Sequence, residues 1–166
     1  MTTPNPAETD ATNRGVGLKI APGKGDGATL KCKVSTVELA AASSGDTIDF
    51  GRIPSNARIS SASRVYWDDL ATTGSPTLDL GLRAVESNLA NADDPDALSN
   101  GHALATGTTT GAQALAEIAS SGLPAWDLVA SETADPGGVL EVYGSVVDAA
   151  TTATGTITLE LFYYLD

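Results

Sequence analysis

Beyond Arg83 the chain has no lysine or arginine, although twelve aspartates and glutamates follow it. All nine basic residues fall within residues 1–83, where nine acidic residues balance them. The formal net charge of −12 therefore belongs to residues 84–166. Phosphate neutralisation needs clustered Lys and Arg, so the composition argues against general nucleic-acid binding. Charge asymmetry of this kind bears on solubility and partners and carries no information about fold.

Cysteine is nearly absent as well. Cys32 is the only one, so no intramolecular disulfide can form, and its place on the apolar side of an alternating strand reads as a small buried hydrophobe. Histidine is equally scarce. His102 sits in an Asn-Gly-His turn with no Gly-x-Ser-x-Gly nucleophile elbow anywhere, which reads as a solvated loop side chain. One His and one Cys also cannot build a paired-His or Cys-rich zinc site. Residues 1–10 carry Pro4, Pro6, Glu8 and Asp10 and resemble no secretory signal. Apolar runs are broken within a few residues, far short of the roughly twenty that a membrane helix requires, so a soluble protein made in the cytoplasm is expected. The glycines at 15, 17, 23, 25 and 27 lack the Gly-Lys-Ser/Thr ending of a phosphate loop.

What is present is enough chain, 166 residues, for one domain with a real core. Residues 1–28 read as an extended N-terminal arm, rich in Pro and Gly and poor in apolar surface. Arg14, Lys19 and Lys24 lie in it, with Lys31 and Lys33 just beyond, and from Arg14 to Lys33 only Asp26 opposes them. The arm is either a tail that happens to be basic or a segment that orders on an acidic neighbour.

From Thr29 the pattern has period two, the signature of strands. Leu30, Cys32 and Val34 alternate with Lys31, Lys33 and Ser35; Val37 and Leu39 then shift phase, which predicts a bulge near Ser35 and Thr36. Ile48 and Phe50 make a short strand ended by Gly51. Residues 57–67 read as one strand with Ala57, Ile59, Val65 and Trp67 on one face; Leu78, Leu80 and Leu82 mark the next. Residues 84–110 show no period and read as a long surface excursion. Residues 111–121 are the one plausible helix, capped by Thr110 and ended by Gly122. Strands follow around 126–129, 139–147 and 156–165. The sum is an all-β protein: a jelly-roll-like antiparallel β-sandwich of about seven or eight strands over residues 29–166, with one short helix and the arm at 1–28.

In the last strand Ile157, Leu159, Leu161, Tyr163 and Leu165 share one face. Phe162 and Tyr164 fall on the other, nominally outer face, where the arm, the helix, a loop or another subunit must cover them. Asp93, Asp94 and Asp96, with Asn100 beyond, offer oxygen ligands, but a Pro in third place and the missing twelfth-position Glu depart from a calcium loop, so capped or solvated acids are expected. Asp68 and Asp69 are adjacent in a strand and point apart, a poor glycosidase pair. Trp67, Tyr66 and Trp126 are the aromatic platforms available to a carbohydrate- or receptor-binding module. No catalytic, cofactor or metal residue is expected.

The stretch from Asp46 to Ile59, DTIDFGRIPSNARI, is followed by a strand, a Thr-Gly-Ser turn and Leu78-Asp-Leu-Gly-Leu82. Together with the closing ATGTITLELFYY of residues 153–164, it resembles the small β-sandwich virion proteins of tailed bacteriophages. The resemblance covers roughly residues 29–83 and 138–166. It implies a capsid decoration (cement) protein or a related head-fibre base: non-enzymatic, without cofactor, bound to the major capsid protein lattice on the outside of the head, and often trimeric. Arg14, Lys19, Lys24, Lys31, Lys33, Phe162 and Tyr164 are then the candidates for capsid or subunit contact. The alternative is a head-fibre or tail-associated carbohydrate- or receptor-binding module.

Overall fold

The structure, a computed structural model, describes residues 29–85, 93–116, 120–129, 134–135 and 137–165. Residues 1–28, with the whole expected arm, lie outside the described residues. Alternation of side chains sorts the described chain into nine strands: β1 (Thr29–Ala40), β2 (Thr47–Pro54), β3 (Arg58–Ile59), β4 (Arg64–Trp67), β5 (Thr77–Ala84), β6 (Asp93–Ala103), β7 (Thr108–Gln113), β8 (Val139–Val147) and β9 (Thr154–Leu165). One sheet has the order β1-β9-β4-β7, with β3 also on β9; the other has the order β2-β8-β5-β6. Every pairing is antiparallel. With β3 and β4 taken as one broken strand, each sheet has four strands, and the chain changes sheet at almost every connection. That is the jelly-roll arrangement expected from the sequence.

Between the sheets lies a core of Phe50, Ile53, Ile59, Leu78, Leu80, Leu82, Leu140, Ile157 and Leu159, all fully buried. Each such side chain contributes roughly 1.5–3 kcal/mol by leaving water.

The expected bulge near Ser35 and Thr36 does not exist. β1 pairs with β9 without a register shift from Thr29↔Leu165 to Ala40↔Thr154. Its odd positions face inward throughout, so Leu30, Cys32 and Val34 face out, and Cys32 is exposed instead of buried. The cause lies on the facing sheet, where β2 is an edge strand. Ser35 Oγ donates to the Phe50 carbonyl at 2.7 Å, and Lys33 Nζ donates to the Arg52 carbonyl at 3.2 Å. Polar side chains turned inward here satisfy β2's carbonyls, and the apolar alternates are left outside.

Gly51 does not end β2. It forms a bulge between Asp49 and Gly51, and the shifted phase brings Ile53 into the core after Phe50. Its φ of 93° is left-handed, and a Cβ there would overlap the Lys33 ammonium and lie 2.8 Å from Lys33 Cε. The backbone angle is what selects glycine, because the flexible end of Lys33 can swing aside.

Residues 57–67 are two strands, not one, interrupted by a turn in which Ser63 N–H bonds the Ser60 carbonyl at 3.0 Å. The turn conserves parity, so Val65 and Trp67 still face the core with Ile59. The expected excursion at 84–110 instead contains β6 and β7. Its alternation is hidden because β6 is strongly bulged: Leu80 pairs with Ser99 while Leu82 pairs with Asp94. The extra residues cross the outer face of β5 so closely that a Cβ on Gly81 would lie 2.6 Å from Pro95 Cα.

The expected helix at 111–121 is also corrected. Gly111–Gln113 close β7, and the amides that follow bond across the fold, Ala114 N–H to the Ser63 carbonyl at 3.0 Å and Ala116 N–H to the Leu98 carbonyl at 2.8 Å. Residues 117–119 lie outside the described residues. The strand expected around 126–129 is a 3-10 turn, Ala125–Leu128, held by Ala125 N–H to the Ala57 carbonyl and Trp126 N–H to the Ser55 carbonyl.

Candidate interaction face

The outer face of the β1-β9-β4-β7 sheet follows directly from the β1 register. Leu30 stands opposite Tyr164, Cys32 opposite Phe162, Val34 opposite Glu160 and Thr36 opposite Thr158. Leu30 is 58% exposed and Val34 59%, the only large hydrophobic side chains so exposed among the described residues. Phe162 and Tyr164 beside them are half-buried. The first half of β1 and the last of β9 thus form one apolar, partly aromatic strip.

Along the same face the character turns polar. Thr36 and Thr158 share a hydrogen bond of 2.9 Å. Glu160 stands opposite Arg64 of β4 and accepts from the Tyr66 hydroxyl at 3.1 Å, which holds the Tyr66 phenol above its ordinary range. Arg58 of β3 pairs with Tyr164 at the aromatic end. An apolar strip with a charged margin matches the core-and-rim anatomy of protein contacts.

The basic candidates divide. Lys31 is exposed on the face of β1 opposite the strip; Lys33 leans over β2 with its ammonium on the Arg52 carbonyl. Arg14, Lys19 and Lys24 lie outside the described residues.

The other sheet carries a polar network that the sequence did not announce. Arg83 Nη2 lies 2.5 Å from Glu141 Oε1 and its guanidinium sits 4.6 Å from the centroid of the Tyr143 ring. The Tyr143 hydroxyl donates to Asp93 at 2.6 Å. Burial first, and then that bond to Asp93, push the Tyr143 phenol far above its usual range. Glu141 and Tyr143 occupy outward positions of β8, yet both are buried. Glu141, Tyr143 and Ser145 at alternate places of β8 were visible in the sequence, but not that β6 would bring Asp93 onto Tyr143.

The remaining candidates for chemistry are structural. His102 is no solvated loop side chain: it lies on β6, half-buried, 5.5 Å from the Trp67 ring centroid, with Nε2 hydrogen-bonded to Ser99 Oγ at 2.8 Å. Ser99 is only 3% exposed. Trp67 is buried and its indole N–H is shared by the Ala103 and Thr106 carbonyls, which removes it as a sugar platform. Trp126 is packed in part against the core. Asp93 is taken up by Tyr143, and among the described residues no group of three or more His, Cys, Asp or Glu could hold a metal ion. No helix among them is long and apolar enough to cross a membrane.

A solved structure shares the shape. A chain of the cyanophage Pam1 capsid asymmetric unit superposes with a TM-score of 0.58 at 24% sequence identity, over 88% of this chain and 91% of that one. The likeness thus takes in nearly the whole jelly roll and establishes a common fold. No family model matches the chain. No curated protein matches it either.

Proposed function

We propose that this chain is a non-enzymatic structural protein of a bacteriophage virion, an outer-capsid decoration or cement protein that binds the head lattice and associates with itself, most simply as a trimer. The observation that carries this reading is the apolar strip that, among the described residues, joins exposed Leu30, Cys32 and Val34 to half-buried Phe162 and Tyr164, on a jelly roll whose fold is shared with a phage capsid chain. Fold likeness alone does not assign function; the strip supplies the site.

Mechanism in this reading is adhesion. Apolar area removed from water contributes roughly 25 cal/mol per Å² before the costs of association, and many copies on a repeating lattice gain avidity. Arg14, Lys19, Lys24 and Lys31 would reach acidic surface on a neighbour, with Lys33 less available because its ammonium already serves β2. The cation-free second half would face solvent and keep particles apart. Synthesis in the host cytoplasm and residence on the outer head surface complete the proposal.

The test is binding of the purified protein to undecorated heads. Leu30→Ser with Val34→Thr should leave the melting temperature nearly unchanged, because both side chains are already exposed and no charge is placed opposite Glu160, and should abolish binding. Binding that survives this double change refutes the strip as the contact. Charge reversal at Arg14, Lys19 and Lys24 should weaken attachment and flatten its salt dependence.

A further inference from the structure

We propose that residues 16–20 of the same chain add to the open edge of β1 as a further antiparallel strand, with Ile20, Leu18 and Val16 opposite Leu30, Cys32 and Val34. The inference does not depend on the identity of any external partner.

β1 pairs with β9 along its whole length, and among the described residues no strand pairs with its other edge. A twelve-residue edge leaves a row of backbone donors and acceptors open to another strand. The large exposed apolar residues of β1 lie in its first half, where Leu30, Cys32 and Val34 face out; Thr36, Glu38 and the small Ala40 face out in the second half.

The segment just upstream has the matching pattern. Residues 16–20 read Val-Gly-Leu-Lys-Ile, three apolar side chains at period two, the same number and spacing as Leu30, Cys32 and Val34. Five residues in a strand span about 17 Å, the length of that half of β1. The connection, residues 21–28, contains Pro22, Gly23, Gly25, Asp26 and Gly27, which are turn formers. Alone, three apolar side chains cannot order a segment; beside a formed strand they gain backbone hydrogen bonds and cross-strand contacts.

Continuity selects the chain's own segment over a second copy. Closing a loop of this size adds a cost that grows only logarithmically with length, whereas a separate molecule also loses rigid-body freedom worth on the order of 4–15 kcal/mol. In this register Lys19 falls beside Lys31 on the opposite face, so the segment seats more firmly as salt screens the two charges. The strip on the outer sheet face becomes one strand wider.

Cys32 is the only cysteine, so it reports directly on the register. In the full chain, Leu18→Cys should form an intramolecular disulfide with Cys32 under mild oxidation, read by peptide mass and non-reducing electrophoresis. Lys19→Cys, on the other face, should stay reduced. A disulfide-linked dimer would assign the segment to a second copy and overturn the proposal. So would no disulfide, or equal yields from both variants. Independently, Leu18→Asp with Ile20→Asp should speed alkylation of Cys32 roughly tenfold by opening the edge; an unchanged rate overturns the proposal as well.

Discussion

The Ser63 hydroxyl holds the backbone of Phe162 from both sides, accepting from its N–H at 3.0 Å and donating to its carbonyl at 3.2 Å. Ser63 is fully buried in the turn between β3 and β4, where β9 would otherwise lose its ladder partner. The Ser60 N–H adds a third bond to the same carbonyl at 2.8 Å. A side chain therefore continues the sheet across a gap in the backbone, directly behind the residue that presents an aromatic ring on the outer face.

Ser63→Ala strands the Phe162 amide in a dry site. A loss of about 1–3 kcal/mol is expected in urea unfolding, the usual cost of an orphaned buried polar group. A change below about 0.5 kcal/mol would mean that the strand relaxes and finds other partners.

Gly81 lets β6 cross β5. A Cβ there would overlap the Asp94 carbonyl oxygen and lie 2.6 Å from Pro95 Cα, and both obstacles are backbone. Gly81→Ala should cost about 1–3 kcal/mol by overpacking, seen as a lower unfolding midpoint. Because that crossing also covers the polar network of β8, Tyr143 should become more accessible in the variant, which its fluorescence quenching would report.

His102 gives the protein a pH dependence of definite sign. Burial holds its imidazole below the ordinary value of 6.5, with the Asp79 charge opposing. The unfolded chain therefore takes up the proton first as pH falls. Stability is fully present above 6.5 and declines as pH drops through the lowered folded value. Urea midpoints measured between about pH 7.5 and pH 5 should fall more for the natural protein than for His102→Gln. Parallel curves would show that His102 is indifferent to its surroundings.

Tyr143 has the opposite sign. Its raised phenol pKa means stability that is present below 10.0 and lost as pH rises through the folded value. In an alkaline absorbance titration of the folded protein, the difference between the natural chain and Tyr143→Phe should show no ionisation near 10.0. Asp93→Asn, which removes the neighbouring carboxylate, should bring that transition down. Glu141→Ala should cost about 1.5–3 kcal/mol, because it leaves the Arg83 guanidinium without its charged partner.

The sandwich was legible wherever alternation was unbroken. Leu78, Leu80 and Leu82 in β5, Leu140, Val142 and Val146 in β8, and the odd positions of β9 all face the core as their spacing demands. Reading failed where bulges or bonds between strands override local pattern. The crossing of β6 hid its strand in residues 93–103, and a good helix-forming run at 111–121 lost to amides that bond to Ser63 and Leu98.

The candidate face shows the division most clearly. Period two alone determined that Leu30, Cys32 and Val34 share one side of β1, and that Phe162 and Tyr164 share one side of β9. Which side meets the core was decided only by the facing sheet, where the Phe50 and Arg52 carbonyls at an open edge draw Ser35 and Lys33 inward. A strand pattern fixes parity, but β1 runs without a bulge, so packing Val37 and Leu39 against the core turns Leu30, Cys32 and Val34 outward, and that choice exists only once β1 is paired with β9 and the two sheets are packed together.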